Sequence, residues 1–377
     1  MSVLVFQQSK IHVTKKKLID RCFIVATECV ASAFGGKLAI SEKVVNGKNT
    51  CFLTHRCTST LDPEFSDLGI DPMVQRFLCL LLGLLALPVV ATELCGGVKQ
   101  VDEGVFLCPG QPGAVFETRR VANTGFIVGQ RCIAVIDTGG SPDEGRELLE
   151  AIRTVSSKPV CYVINTHVHP DHILGNSAFE GTNARFIGHH NLTRAMALLG
   201  PTYLRRAAQA SGQDTAHWLQ PPDQRVSEPI EIDLGERRLQ LTPHAQAHTD
   251  NDLSVFDEQT GTLWAADLVF AGHIPVLGGS GSVLGWLQLL GKLGDFAAKK
   301  VVPGHGPVVV DSSHVIKAQQ RYLTVLRDET RAWIADDGDI SSALEHIGGL
   351  ERGKWALFDQ YHKRNVSYTY TELEWEN

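Results

Sequence analysis

The sequence predicts an α/β sandwich, and two patterns predict it. Apolar runs of strand length alternate with segments whose apolar residues recur at helical spacing. Residues able to bind metal stand where the strand-like runs end, a place where a rigid scaffold commonly presents functional groups. The 377 residues are 43% hydrophobic and 20% charged, so a sizeable core can be buried. By length alone the chain has room for more than one domain.

Taken in order, residues 125–128 and 132–137 read as strands joined through Gly129-Gln130. Thr138-Gly139-Gly140 turns the chain. Ser141-Pro142-Asp143-Glu144 then opens a helix with a capping box and a proline at its first position. Leu148, Leu149 and Ile152 fall on one face of it. Residues 160–164 and 185–187 are further strands. Residues 191–210 read as helix, with a break expected near Gly200-Pro201. Residues 230–233 and 238–241 flank Leu234-Gly235-Glu236 as a hairpin, and 253–256 and 262–266 form another around Thr260-Gly261. Residues 283–296 are amphipathic, with Leu287, Leu290 and Leu293 as the apolar stripe. Val301-Val302 precedes a turn, residues 312–335 form a long helix, and the tail from Ile340 is helical. No internal repeat or low-complexity linker interrupts this order.

The densest chemical signal is Thr166-His167-Val168-His169-Pro170-Asp171-His172, directly after the apolar run 160–164. Four of its seven side chains can hold a transition metal. Imidazole with carboxylate suits zinc, with iron and manganese as competitors. A tight loop at a strand end can turn His167 and His169 to one position, and Asp171 and His172 to a second. That describes a two-metal site able to activate water and polarise a carbonyl or ester oxygen. Three more ligand-type residues stand at the ends of strand-like runs: His248, Asp267 and His305. Asp171 and Asp267 are the candidate catalytic carboxylates, able to take a proton where metal does not fully engage them. No Gly-x-Ser-x-Gly elbow is present, so no serine nucleophile is called for.

In these motifs the chain resembles the metallo-β-lactamase superfamily of metallohydrolases over roughly Gly104 to Val310. The resemblance implies a four-layer αββα sandwich with two zinc ions per chain at one edge of the two sheets. It implies His167, His169 and His248 at the first zinc, Asp171, His172 and His305 at the second, and Asp267 as a bridging carboxylate. Some β-lactamases of the superfamily place Cys where Asp267 stands, so ester, thioester or lactone substrates are expected ahead of lactams. The stretches 189–192 and 267–275 also resemble the quinoprotein relay system zinc metallohydrolases. That implies a small-molecule substrate and an association with periplasmic quinoprotein dehydrogenases that use pyrroloquinoline quinone. Two other readings stand beside it: a persulfide dioxygenase with one iron held by two His and an Asp, to which His172 and His305 would be surplus, and a non-catalytic quinoprotein maturation or binding factor that keeps the site. His273 is a candidate for the substrate pocket. Asp137 either accepts a hydrogen bond from a metal-bound imidazole or caps the turn at Thr138-Gly139.

The N-terminal quarter has a different character. Residues 73–91 carry Arg76, an unbroken apolar run from Phe77 to Leu87, Pro88, and the small residues of Val89-Val90-Ala91. This is the anatomy of a secretory leader, too short for a stable membrane span. The expected organisation is an extension over 1–72, either the product of a misassigned start or a genuine extra segment, then the leader-like segment 73–91. A hydrolase domain over 92–335 and a helical tail over 336–377 follow. Export would place the mature chain in the periplasm or outside the cell. Of nine cysteines, Cys95, Cys108, Cys132 and Cys161 lie after residue 91. Cys95 and Cys108 are close enough in sequence to bridge, but spacing does not fix the pairing. A net charge of −7 without a dense basic cluster gives no sign of nucleic-acid binding.

Overall fold

A computed structural model describes residues 38–45, 48–55, 94–111 and 120–376. The chain divides into two units, residues 1–91 and 92–377. In the first, β1 (Leu38–Val45) and β2 (Lys48–His55) pair as an antiparallel hairpin. The leader-like segment 73–91 lies outside the described residues.

The second unit is built on two sheets. The seven-stranded sheet runs in order β3 (Lys99–Asp102), β4 (Val105–Cys108), β5 (Thr124–Val128), β6 (Ile133–Ile136), β7 (Val160–Asn165), β8 (Arg185–His189) and β9 (Gln224–Val226). It is antiparallel up to β6 and parallel from β6 to β9. The five-stranded sheet runs β10 (Ile230–Asp233), β11 (Arg238–Pro243), β12 (Leu253–Asp257), β13 (Thr262–Phe270) and β14 (Lys300–His305). Only its last pair is parallel.

Period-two alternation along the strands sorts side chains into layers. Ile127, Ala134, Ile136, Ile164 and Ile187 face Leu239, Leu241, Val255, Trp264 and Val302 between the sheets. Their neighbours Phe126, Ile133, Val135, Val163 and Phe186 face outward onto Leu148, Ala151 and Ile152 of α1 (Pro142–Val155). The other outer layer takes Leu263, Ala265 and Val301. There they pack beneath α4 (Val283–Lys292), α5 (Ser313–Ala335), α6 (Ile340–His346) and α7 (Phe358–Leu373). Short α2 (Pro170–Ile173) and α3 (Leu192–Ser211) complete the helices. The result is the αββα sandwich, and residues 340–373 share its second helical layer.

Local chemistry explains the elements and the departures from expectation. Ser141 Oγ caps α1 by accepting from Glu144 N at 3.3 Å, but Glu144 reaches back to Gly140 N and to Arg120 N rather than to the cap itself. α3 runs on through Pro201 without the expected break. One proline removes a single backbone donor, and the turns on either side hold the helix together. α4 stops at Lys292, and residues 293–296 tighten into a 3₁₀ turn. Its buried stripe is Val283, Trp286 and Leu290, with Leu287 only half-buried. Disulfides join Cys95 to Cys108, and Cys132 beside β6 to Cys161 in β7. Among the described residues, no helix is long and apolar enough to cross a membrane.

Candidate metal centre

β7 ends at Asn165, and residues 166–172 turn over its end. Asp137 at the end of β6 braces that turn. Its Oδ1 accepts from Thr166 N at 2.8 Å, and its Oδ2 accepts from Thr166 Oγ1 at 2.8 Å and His172 Nδ1 at 2.7 Å. Asp137 is therefore the carboxylate partner of His172. Pro170 starts α2 with its fixed φ, and that single turn of helix carries Asp171 and His172.

Asp267 arrives by a distortion. Continued alternation along β13 would send it to the helix-covered side with Leu263 and Ala265. The pairing with β14 instead slips on both sides of Ala266, which has φ 47°. Such a bulge re-aims the following side chain, and Asp267 points into the centre without ending the strand. Gly304 makes room for it: a Cβ there would lie 1.8 Å from Asp267 Oδ1. His305 closes β14, and His248 comes from the loop between β11 and β12.

These residues converge. His167 Nε2 and His248 Nε2 lie 3.0 and 2.9 Å from His169 Nδ1. Asp171 Oδ2 lies 3.5 Å from His172 Nε2 and 3.4 Å from His305 Nε2. Asp267 spans both sets, with Oδ2 3.3 Å from His248 Nε2 and 3.4 Å from His305 Nε2, and Oδ1 3.3 Å from His172 Nε2. Two nitrogens on one tetrahedral zinc, each at about 2.0–2.1 Å, stand about 3.3 Å apart. The separations here cluster around that value.

The outer ring nitrogens set the orientation of the rings. His172 Nδ1 donates to Asp137, His248 Nδ1 to Val276 O at 2.6 Å, and His305 Nδ1 to Val121 O at 3.0 Å. Carboxylates and carbonyls can only accept, so Nδ1 carries a proton and Nε2 faces the centre. Phe270 stacks on the His305 ring, 5.4 Å between centroids at 6°. His172 Nε2 and Asp267 Oδ1 are buried with no hydrogen-bond partner. Orphaned buried polar atoms are costly, and a cation between them would satisfy both. The donor set and these atoms fit a metal pair.

Charge is unevenly distributed. Burial holds His167 and His248 well below the usual histidine range and takes His169 to about 4. His172 resists its own burial because Asp267, Asp171 and Asp137 surround it and hold it well above that range. His305 is raised against its burial by Asp267. Burial of Asp267 is outweighed by His305, His172 and His167, which keep its carboxyl well below the carboxylate range.

All seven expected ligand-type residues meet at this centre. His273 stays outside both groups. Its Nδ1 bonds Ile274 O at 2.7 Å and its ring lies 5.5 Å from that of His305. His189, in the stretch 189–192, packs against His190 and accepts from Asn191 N at 3.1 Å. Sequence reading missed Gly304, whose only signal is its place before His305. It also missed the acceptors Val121 and Val276, which act through backbone and carry no residue-type signal.

The fold and the ligand arrangement define a class, and comparison with known proteins agrees. Residues 118–305 match the family model described as the metallo-beta-lactamase superfamily. The match and the sandwich support placing the chain in that superfamily. The chain is similar to the linear primary-alkylsulfatase of Pseudomonas sp. (strain ATCC 19151), at 23% identity over 54% of this chain and 45% of that protein. It thus spans about half the length of that relative. A solved metallo-beta-lactamase from Pontibacter korlensis shares the fold, with a TM-score of 0.51 at 20% identity over 60% of this chain and 98% of that one.

Proposed function

We propose that this chain is a zinc-dependent hydrolase of a small ester, thioester or lactone, with two zinc ions per chain. His167, His169 and His248 would hold one ion, Asp171, His172 and His305 the other, with Asp267 shared. The observation that carries the reading is the Asp267 carboxylate, within 3.3–3.4 Å of nitrogens from both ligand sets. A bound pair supplies an acidified water and a Lewis acid for the scissile oxygen. The chain's own part is placement. Asp137, Val276 and Val121 orient three imidazoles through their outer nitrogens. Asp171 places its carboxylate between His172 and His305, and where metal does not fully engage it, that carboxylate would accept a proton. His273 stands beside His305 as a pocket residue.

A second reading, hydrolysis of a sulfate ester, is favoured by the alkylsulfatase relative. Export to an oxidising compartment is supported by the two disulfides together with the leader-like residues 73–91. Association with quinoprotein dehydrogenases rests on the sequence stretches alone. The test is metal analysis of purified protein, then kcat/KM on a thioester, a lactone, an alkyl sulfate, a penicillin and a carbapenem. Two zinc per chain and faster thioester or lactone turnover than lactam turnover are expected. One iron per chain would favour the dioxygenase reading. Lactam values of about 10⁴ M⁻¹s⁻¹ or more, with the others negligible, would overturn the substrate assignment.

A further inference from the structure

We propose that α7 presents an oxyanion-recognition face to the metal centre, in which Arg364, stacked on Tyr368, binds a negatively charged group on the substrate. The proposal rests on the hydrolase reading and narrows it to substrates bearing a carboxylate or sulfate.

Tyr361, Arg364 and Tyr368 recur at the three- and four-residue spacing that puts side chains on one helical face. One end of that face lies by His273, whose ring is 6.5 Å from that of Tyr361. At the other end, Tyr368 Oη lies 3.3 Å from where a Cβ on Gly279 would be. Its neighbour Gly278 backs the centre directly: its N–H donates to His248 O at 2.9 Å, and a Cβ there would lie 3.3 Å from His169 Cε1. Seven residues of helix advance about 10 Å, so the face runs past the mouth from the His305 side to the His169 side.

The helix is firmly docked there. Asn365 accepts from Leu277 N at 2.9 Å and donates to Pro275 O at 2.7 Å and Tyr322 Oη at 3.0 Å. These bonds bracket Val276, the acceptor of His248. Ile274 N donates to Ala356 O at 3.1 Å just before the helix.

Two other cations on or beside α7 are neutralised. Lys363 pairs with Glu345, and Arg352 pairs with Asp359 at 3.2 Å. Among the described residues, Arg364 has no carboxylate at ion-pair distance; its guanidinium lies over the Tyr368 ring at 5.4 Å. Stacking holds a guanidinium while leaving its fork free, and that fork matches an oxyanion.

The test uses zinc-loaded protein and paired thiols of matched length, ending in carboxylate, sulfonate or neutral amide, with affinities measured calorimetrically. The thiol anchors each probe at the metal, and the far end reports on Arg364. Wild type should prefer an anionic end over the amide by about 10- to 100-fold, as for a charge-assisted hydrogen bond. Arg364→Gln should abolish that preference and Arg364→Lys retain part of it, with metal content and melting temperature confirming intact variants. Whether the carboxylate or the sulfonate binds better identifies the substrate group. Equal binding of acid and amide by wild type, or an undiminished preference in Arg364→Gln, would overturn the proposal. Binding is read without turnover, so a chain that hydrolyses nothing in the panel would defeat the hydrolase reading while leaving this measurement intact.

Discussion

His167, His169 and His248 form a set of three imidazoles, while Asp171, His172 and His305 combine one carboxylate with two. Asp267 touches both sets, but the two differ in charge. Burial keeps every histidine of the first set below its ordinary pKa, with its nitrogens neutral and able to donate to metal. In the second set the surrounding carboxylates hold His172 and His305 above theirs. A ligand nitrogen must be deprotonated to bind. On the proposed reading the first position would take an ion without losing protons, and the second would release them to accept one. Proximity to a shared carboxylate does not make two sites equivalent; the remaining neighbours decide.

The largest expected effect comes from removing what the sets share. Asp267→Ala should cost the second metal, weaken the first, and reduce turnover of the best substrate by about 10³-fold or more. Gly304→Ala should act in the same direction, because its new Cβ would displace Asp267 Oδ1. Two tightly held metals and wild-type turnover in both variants would end the shared-carboxylate reading.

Separating the sets comes next. His169→Ala should lose the first-position metal and Asp171→Ala the second, each leaving one ion per chain by elemental analysis and each lowering activity by orders of magnitude. If either variant keeps both ions and full turnover, that residue is not a ligand.

Asp137→Asn is milder and one-sided. It exchanges the acceptor that aligns His172, and should weaken second-position zinc by about 10- to 100-fold while leaving the first unchanged. A competitive chelator titration reads the two affinities; equal weakening of both would contradict the asymmetry.

The smallest effect needs no mutation. Raised pKa values at His172 and His305 mean that protons compete with metal there well before they compete at the depressed first set. On acidification from about pH 8 to about pH 5.5, the second zinc should leave before the first. Simultaneous loss, followed by elemental analysis after gel filtration at each pH, would show the sets to be alike in charge.

The sandwich was readable because its core strands are short apolar runs bounded by turns and its helices carry a clear period. The seven ligand-type residues were readable because four are adjacent in sequence and the rest follow apolar runs. Other features depend on atoms that sequence does not bring together. The bulge at Ala266 arises from a slip between β13 and β14, and nothing in residues 262–270 announces it. Asp137 could be given two roles because its choice of partner depends on the turn 166–172 folding back over β6. Val283 and Trp286 displaced Leu287 from the stripe of α4 because the sheet below sets which face is buried. Arg364 had no local signal at all: it lies 59 residues beyond His305, a separation only tertiary packing closes.

The ligand set ends with His305, and α7, which borders the metal centre's mouth, begins at Phe358. The residues that would hold metal and the helix proposed to face the incoming molecule are thus encoded in non-overlapping stretches of the gene. On the proposed reading, a substitution on the face of α7 that carries Arg364 would alter what is admitted without touching a ligand atom, so a lineage could keep its metal chemistry and change its diet one codon at a time.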